Sequence, residues 1–200
     1  KEVVTTLKTY CELGTFARGR EALSGSASIV MFGNTNQPVE IMVRSSHLFV
    51  PMPEVIREDM AFLDRLHYYL PGWEVPKMQM EFFTEHYGFV VDYLAEALRE
   101  LRRHNFTEVI DRYFSLGSHL NARDVKAVRR TVSGLVKLLY PNGEASRDEI
   151  EELLDLAIEG RRRVKEQLKK MGSFEYHRTS FSYIDNETRV ERYVGVPEEG

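Results

Sequence analysis

Asn121-Ala122-Arg123-Asp124-Val125 opens the stretch that decides the fold, and Val128, Val132, Leu135 and Leu139 continue it at helical spacing until Pro141-Asn142-Gly143 stops it. Asn121 stands where an N-cap belongs, with Asp124 three residues on. The same grammar returns at once. Ser146 and Glu149 form a capping-box pattern, and Ile150, Leu153, Leu154, Ala157, Ile158 and Val164 then face one way. Upstream, Phe89, Tyr93, Leu94, Ala97, Leu98 and Leu101 share one side of an earlier helix ended by Asn105, and a short helix is expected near residues 107–116. From Gln79 onward the apolar period near 3.6 predicts a small four-helix bundle.

On either side of the bundle the pattern changes. Val3, Val4, Leu7, Tyr10 and Cys11 predict a short helix stopped by Gly14. The polar stretch 15–26 reads as a hairpin or loop feeding a buried strand at residues 27–32, which Gly33-Asn34-Thr35-Asn36-Gln37-Pro38 ends. A second apolar stretch, residues 46–50, stops at Pro51 and Pro53, and a helix is expected from about Glu58 to Leu70. Near the end, Phe181-Ser182-Tyr183-Ile184, Asp185-Asn186-Glu187 and the stretch from Val190 to Val196 predict a hairpin too small to be stable without neighbours. The expected fold is predominantly α: an α/β unit over 1–78, a mainly helical unit over 79–170, and a β-hairpin and linker over 171–200.

Composition narrows the function classes. With 27 basic and 31 acidic residues the net charge is −4, so the chain has no bulk attraction for nucleic acid or an anionic membrane, and any DNA contact must be local. Cys11 is the single cysteine, which excludes an intramolecular disulfide. The absence of a signal-like start or a long apolar run points to a cytoplasmic protein with no membrane partner. The six histidines are scattered, so no metal site is expected. A start at Lys1 and an end at Pro-Glu-Glu-Gly suggest a piece of something longer.

No GxxxxGK[ST] loop and no apolar run ending in paired acids occurs, so the chain alone is not expected to hydrolyse ATP. Three features in order nevertheless resemble the second half of an AAA+ ATPase. Residues 29–38 look like the sensor-1 strand, with Asn36 at the position that orients attacking water; the same asparagines would also make a simple turn. Phe62-Leu63-Asp64-Arg65-Leu66-His67 is similar to the segment that places an arginine finger, although Arg65 could equally pair with Glu58 or Asp59. Asn121-Ala122-Arg123-Asp124-Val125 with Arg129-Arg130 resembles the sensor-2 helix, where Arg123 and Arg130 match the two nucleotide-contacting arginines; a solvated Arg123 paired with Asp124 is the plain alternative. Arg18 and Arg20 around Gly19 occupy the place of the presensor hairpin and would suit DNA phosphates, or form an ordinary charged hairpin tip. The run Arg161-Arg162-Arg163-Val164-Lys165 with Lys169-Lys170 could meet DNA, but its late position reads better as a complement to the helix dipole.

Leu70-Pro71-Gly72-Trp73-Glu74-Val75-Pro76-Lys77-Met78, Val128-Arg129-Arg130-Thr131-Val132-Ser133-Gly134-Leu135 and Glu159-Gly160-Arg161-Arg162-Arg163-Val164-Lys165 extend the likeness to the Lon-related AAA+ proteins of the BREX phage-defence system, across essentially the whole chain. That resemblance implies an α/β remnant of an AAA+ core, a helical lid, and a link towards a Lon-like domain. It implies a homo-oligomeric ring that hydrolyses ATP with Mg2+ in the intact parent and acts on DNA. The ATP would lie between a subunit's P-loop and its own Arg123, with Arg65 supplied by the adjacent subunit. Two alternatives stay open: a non-enzymatic helical interaction module, and an ATP-dependent protease.

Overall fold

The computed structural model describes residues 2–19, 21–172, 174–177 and 179–197. Its helices are α1 (Glu2–Leu13), α2 (Val39–Ser45), α3 (Glu54–Arg57), α4 (Met60–Leu63), α5 (Val91–Leu101), α6 (Ala122–Leu139) and α7 (Arg147–Lys170). Its strands are β1 (Thr15–Arg18), β2 (Glu21–Ser24), β3 (Phe114–Leu116), β4 (Ser182–Asp185) and β5 (Glu191–Tyr193). Helices predominate, as the periodicity predicts.

Both long helices begin at true capping boxes. Asn121 accepts from the amides of Arg123 and Asp124 while Asp124 accepts from Asn121, and Ser146 and Glu149 repeat the exchange. α6 and the first half of α7 bury Val128, Val132, Val136, Ile150, Leu154 and Ile158 with Phe114 and Phe181 between them and the small sheet. At a rise of 1.5 Å per residue α7 is about 36 Å long, so its second half passes beyond this core. There Val164 and Leu168 enter a second core with Val4, Phe49, Phe62, Leu63 and Tyr176. One helix is thus shared by the expected units 1–78 and 79–170.

Gly160, where α7 passes between the two cores, explains how close the chain comes. A Cβ there would lie 2.1 Å from the Tyr68 ring, and its carbonyl accepts from Tyr69 N at 3.0 Å. Gly14 has a second local role: at φ 69° it ends α1 and turns the chain into the antiparallel β1–β2 hairpin.

Several expectations are corrected. Residues 27–32 form no strand; Val30 is 68% and Phe32 94% exposed, because no strand among the described residues offers its edge to them. The helix expected from Glu58 to Leu70 is reduced to the single turn of α4, with α3 ending just before it. The Asp59 carboxylate accepts from Phe62 N at 2.9 Å to start α4, and after a turn at residues 64–65 the chain leaves the helix, Tyr69 N donating to the Gly160 carbonyl at 3.0 Å. The first bundle helix is shortened to α5, none of whose residues is buried. Residues expected to be helical near 107–116 instead make a 3-10 turn, Val109–Arg112, and β3. β3 pairs with β4, Leu116 opposite Tyr183, and supplies the neighbour that the terminal hairpin needed.

Candidate functional site

Four buried charged side chains form the floor of the site where α4, α6 and α7 meet. Asp64 and Asp124 face Arg161 and Lys165, and none of the four is more than 1% exposed. The Nη2 of Arg161 lies 2.9 Å from Asp64 Oδ1 and 2.7 Å from Asp124 Oδ1, with Nε donating to Asp124 at 2.8 Å. Lys165 donates to Asp64 Oδ1 at 2.6 Å, lies 3.3 Å from Asp124, and sits 4.4 Å over the Tyr176 ring. Arg161 and Lys165 share a helix face because they are four residues apart. The two acids and two cations balance, which is what makes burying them tolerable.

Above this floor the balance tips. Arg123 donates through Nη1 to the other oxygen of Asp64 at 2.9 Å. Arg65, held by the Ala61 carbonyl, brings its Nε to 3.2 Å from the Glu12 carboxylate, without hydrogen-bond alignment. Lys126 Nζ donates to the backbone oxygen of Glu12 at 2.8 Å and lies 3.8 Å from its carboxylate. Cys11, Glu12, Arg65, His67, Arg123 and Lys126 line a recess over Asp64 with room for about one water-sized group. Counting Arg65, Arg123, Lys126, Arg161 and Lys165 against Glu12, Asp64 and Asp124 leaves two positive charges in excess, within a chain of net charge −4.

The titrating groups register this field. Burial, then the charges of Arg130, Arg161 and Lys126, push the His67 imidazole down to about 4, so it is neutral at physiological pH. Burial raises the Asp64 carboxyl, but the hydrogen bond from Lys165, the charges of Lys165 and Arg161 and the hydrogen bond from Arg123 outweigh it and hold it below the usual range. Burial also raises the Cys11 thiol, against the pull of Arg65 and Lys126, which leaves it a poor nucleophile.

Of the sequence-derived candidates, Arg65 and Arg123 meet in this recess. Arg130 lies seven residues from Arg123 on the same helix, exposed, and acts on His67 through its charge. Asn36 lies in an exposed bend before α2, and no hydrogen bond or ion pair among the described residues joins it to the recess. Arg18 lies in β1, but its side chain and the whole of Arg20 fall outside the described residues.

The run 161–165 is corrected. Arg161, Arg163 and Lys165 are interior rather than at a solvated helix end, with Arg163 donating to Glu159 at 2.6 Å and to Glu74 at 3.0 Å, whereas Lys169 and Lys170 do stand in the last turn of α7. Glu12, Asp64, His67, Lys126, Arg161 and Lys165 are site residues that sequence reasoning missed. One signal was available for two of them: Val164 and Leu168 are apolar positions flanking Lys165, which marks that part of α7 as core-facing.

Arg65, Arg123 and Lys126 thus line one side of the recess, over a floor of paired charges. Residues 1–182 match the family described as "Lon-like protease BrxL-like, ATPase domain". The chain belongs to this family, the ATPase domain of Lon-related AAA+ proteins associated with BREX. It is 58% identical over 200 residues to the Lon-like protease BrxL of Bacillus cereus (strain H3081.97) and 54% identical over 200 residues to that of Escherichia coli O9:H4 (strain HS). Both matches cover 100% of this chain but only 30% and 29% of those proteins, so the chain spans less than a third of their length.

Proposed function

We propose that this chain supplies the arginine-bearing part of an ATP-driven AAA+ ring and that its recess receives the terminal phosphate of the nucleotide. The observation that carries the reading is the convergence of Arg65 and Arg123 with Lys126 on one electropositive recess. A guanidinium keeps its charge at any accessible pH and can contact two phosphate oxygens together, so the pair suits the charge that develops in phosphoryl transfer. Arg65 acts as the finger that stabilises this charge, Arg123 and Lys126 grip the phosphate, and Arg130 strengthens the field. Because Arg65 and Arg123 share the carboxylate of Glu12, we read the pair from one chain as serving one nucleotide, in place of the arrangement across two subunits that the resemblance implies.

With room for about one water-sized group, the recess takes a phosphate only when a side chain moves aside, and the base, ribose and inner phosphates are held by parts of the protein other than these residues. Mg2+, which neutralises developing charge when bound, travels with the nucleotide; among the described residues no group of three acids, histidines or cysteines is arranged to hold a metal. Asn36 orients the attacking water in the assembled ring, where the apolar segment 29–32 gains strand neighbours. Arg18 and Arg20 touch DNA phosphates, several copies adding up around the homo-oligomer in the cytoplasm.

The relatives' printed name, Lon-like protease, favours protein as the alternative substrate. Steady-state ATPase of the full-length protein separates the two. Stimulation by double-stranded DNA is expected; stimulation by an unfolded protein alone contradicts the DNA reading, and no ATPase activity under either condition contradicts the motor.

A further inference from the structure

Glu12 is in an unfavourable place for an acid. It is the penultimate residue of α1, where the helix dipole favours cations, and the last turn carries no basic residue. Its carboxylate nevertheless points among three cations, 3.2 Å from Arg65 Nε, 3.9 Å from Arg123 Nε and 3.8 Å from Lys126 Nζ. None of these is an aligned hydrogen bond, and Arg65 Nε remains buried without an acceptor. The backbone of Glu12, by contrast, is fixed by the 2.8 Å bond from Lys126. A side chain 39% exposed on an anchored backbone can leave by rotation alone. It also has somewhere to go, since Glu12 and Arg65 form the shared wall between the recess and a cleft of about 340 Å3 along α1.

Resting on the reading of the recess as a phosphate site, we propose that Glu12 is the recess's own anion: a tethered carboxylate that occupies the cationic cluster and is displaced by the nucleotide's terminal phosphate. Phosphate brings more charge and more acceptor oxygens than a carboxylate, so it satisfies the Arg65 Nε that Glu12 leaves unaligned. The carboxylate lowers the affinity of the site and offsets the charge of Arg65, Arg123 and Lys126 while no phosphate is there. When the carboxylate leaves, Arg123 keeps its bond to Asp64, Lys126 its bond to the Glu12 backbone and Arg65 its bond to the Ala61 carbonyl, so the cations stay in place for the phosphate.

The test is ATP binding by the full-length protein, with Glu12→Gln, Glu12→Asp and Arg123→Ala compared with the unaltered chain. Removing the competing charge is expected to tighten ATP about two- to fivefold in Glu12→Gln, the range set by a partly exposed ion pair. The shorter arm of Glu12→Asp, which keeps the charge and so protects folding, is expected to tighten it about twofold. Binding of a single-stranded DNA oligonucleotide is expected to stay constant. Unchanged or weaker ATP binding in both Glu12 variants, with Arg123→Ala still weakening it, overturns the displacement and leaves the phosphate site standing. Tightening of DNA but not ATP overturns it as well. If Arg123→Ala also leaves ATP binding unchanged, the recess is not the phosphate site and both readings fall.

Discussion

Asp64 Oδ2 accepts from Arg123 Nη1 at 2.9 Å, so the residue immediately before one candidate phosphate-binding arginine holds the other. Asp124, immediately after Arg123, is tied through Arg161 to the opposite oxygen of Asp64. Two segments 59 residues apart are therefore locked in register by one buried network. The precision of the recess derives from charges that never touch the ligand.

The network sets the first prediction. Asp64→Asn leaves Arg161 and Lys165 buried with half their compensation, which should cost about 3–5 kcal/mol in chemical denaturation. Replacing Asp124 by Leu together with Arg161 by Met removes a charge of each sign and should cost less than either single change. Additive costs would show that the pairs do not interact.

Gly160 gives a packing prediction. Gly160→Ala drives a methyl into the Tyr68 ring and should destabilise the protein by about 1–3 kcal/mol. Combining it with Tyr68→Ala should recover part of that loss in a double-mutant cycle. Full additivity would mean that the contact is not responsible.

The buried imidazole gives a pH dependence. His67 binds its proton near pH 6.5 when unfolded but only at about 4 when folded. Between these values the unfolded state holds more protons, so stability is complete above 6.5 and falls as the pH drops towards 4. The loss approaches about 3 kcal/mol at most. Denaturation curves of His67→Asn should lack this slope. In NMR the His67 signal should titrate at higher pH once phosphate enters the recess, since an anion there offsets the neighbouring cations.

Some of this was legible in the residues alone. Asn121 with Asp124 and Ser146 with Glu149 announce the starts of α6 and α7, because a capping box is a local exchange of hydrogen bonds. Arg65 and Arg123 were legible as candidates, but not their meeting. The missing information is non-local: the partner that buries Arg161 lies 97 residues away at Asp64, so a charge run read locally looks like a solvated helix end. The segment 27–32 fails for a related reason. Its apolar residues indicate a strand buried on both faces, but a strand needs partners, and none of the described residues pairs with it.

The central claim is that Arg65 and Arg123 work on one phosphate in different capacities. Equilibrium ATP binding and single-turnover hydrolysis, measured on the full-length protein with Arg65→Ala and Arg123→Ala, test it most directly. The account predicts that Arg65→Ala binds ATP nearly as before but loses turnover by about a thousandfold, while Arg123→Ala weakens binding. ATP affinity and turnover unchanged in both variants would contradict it.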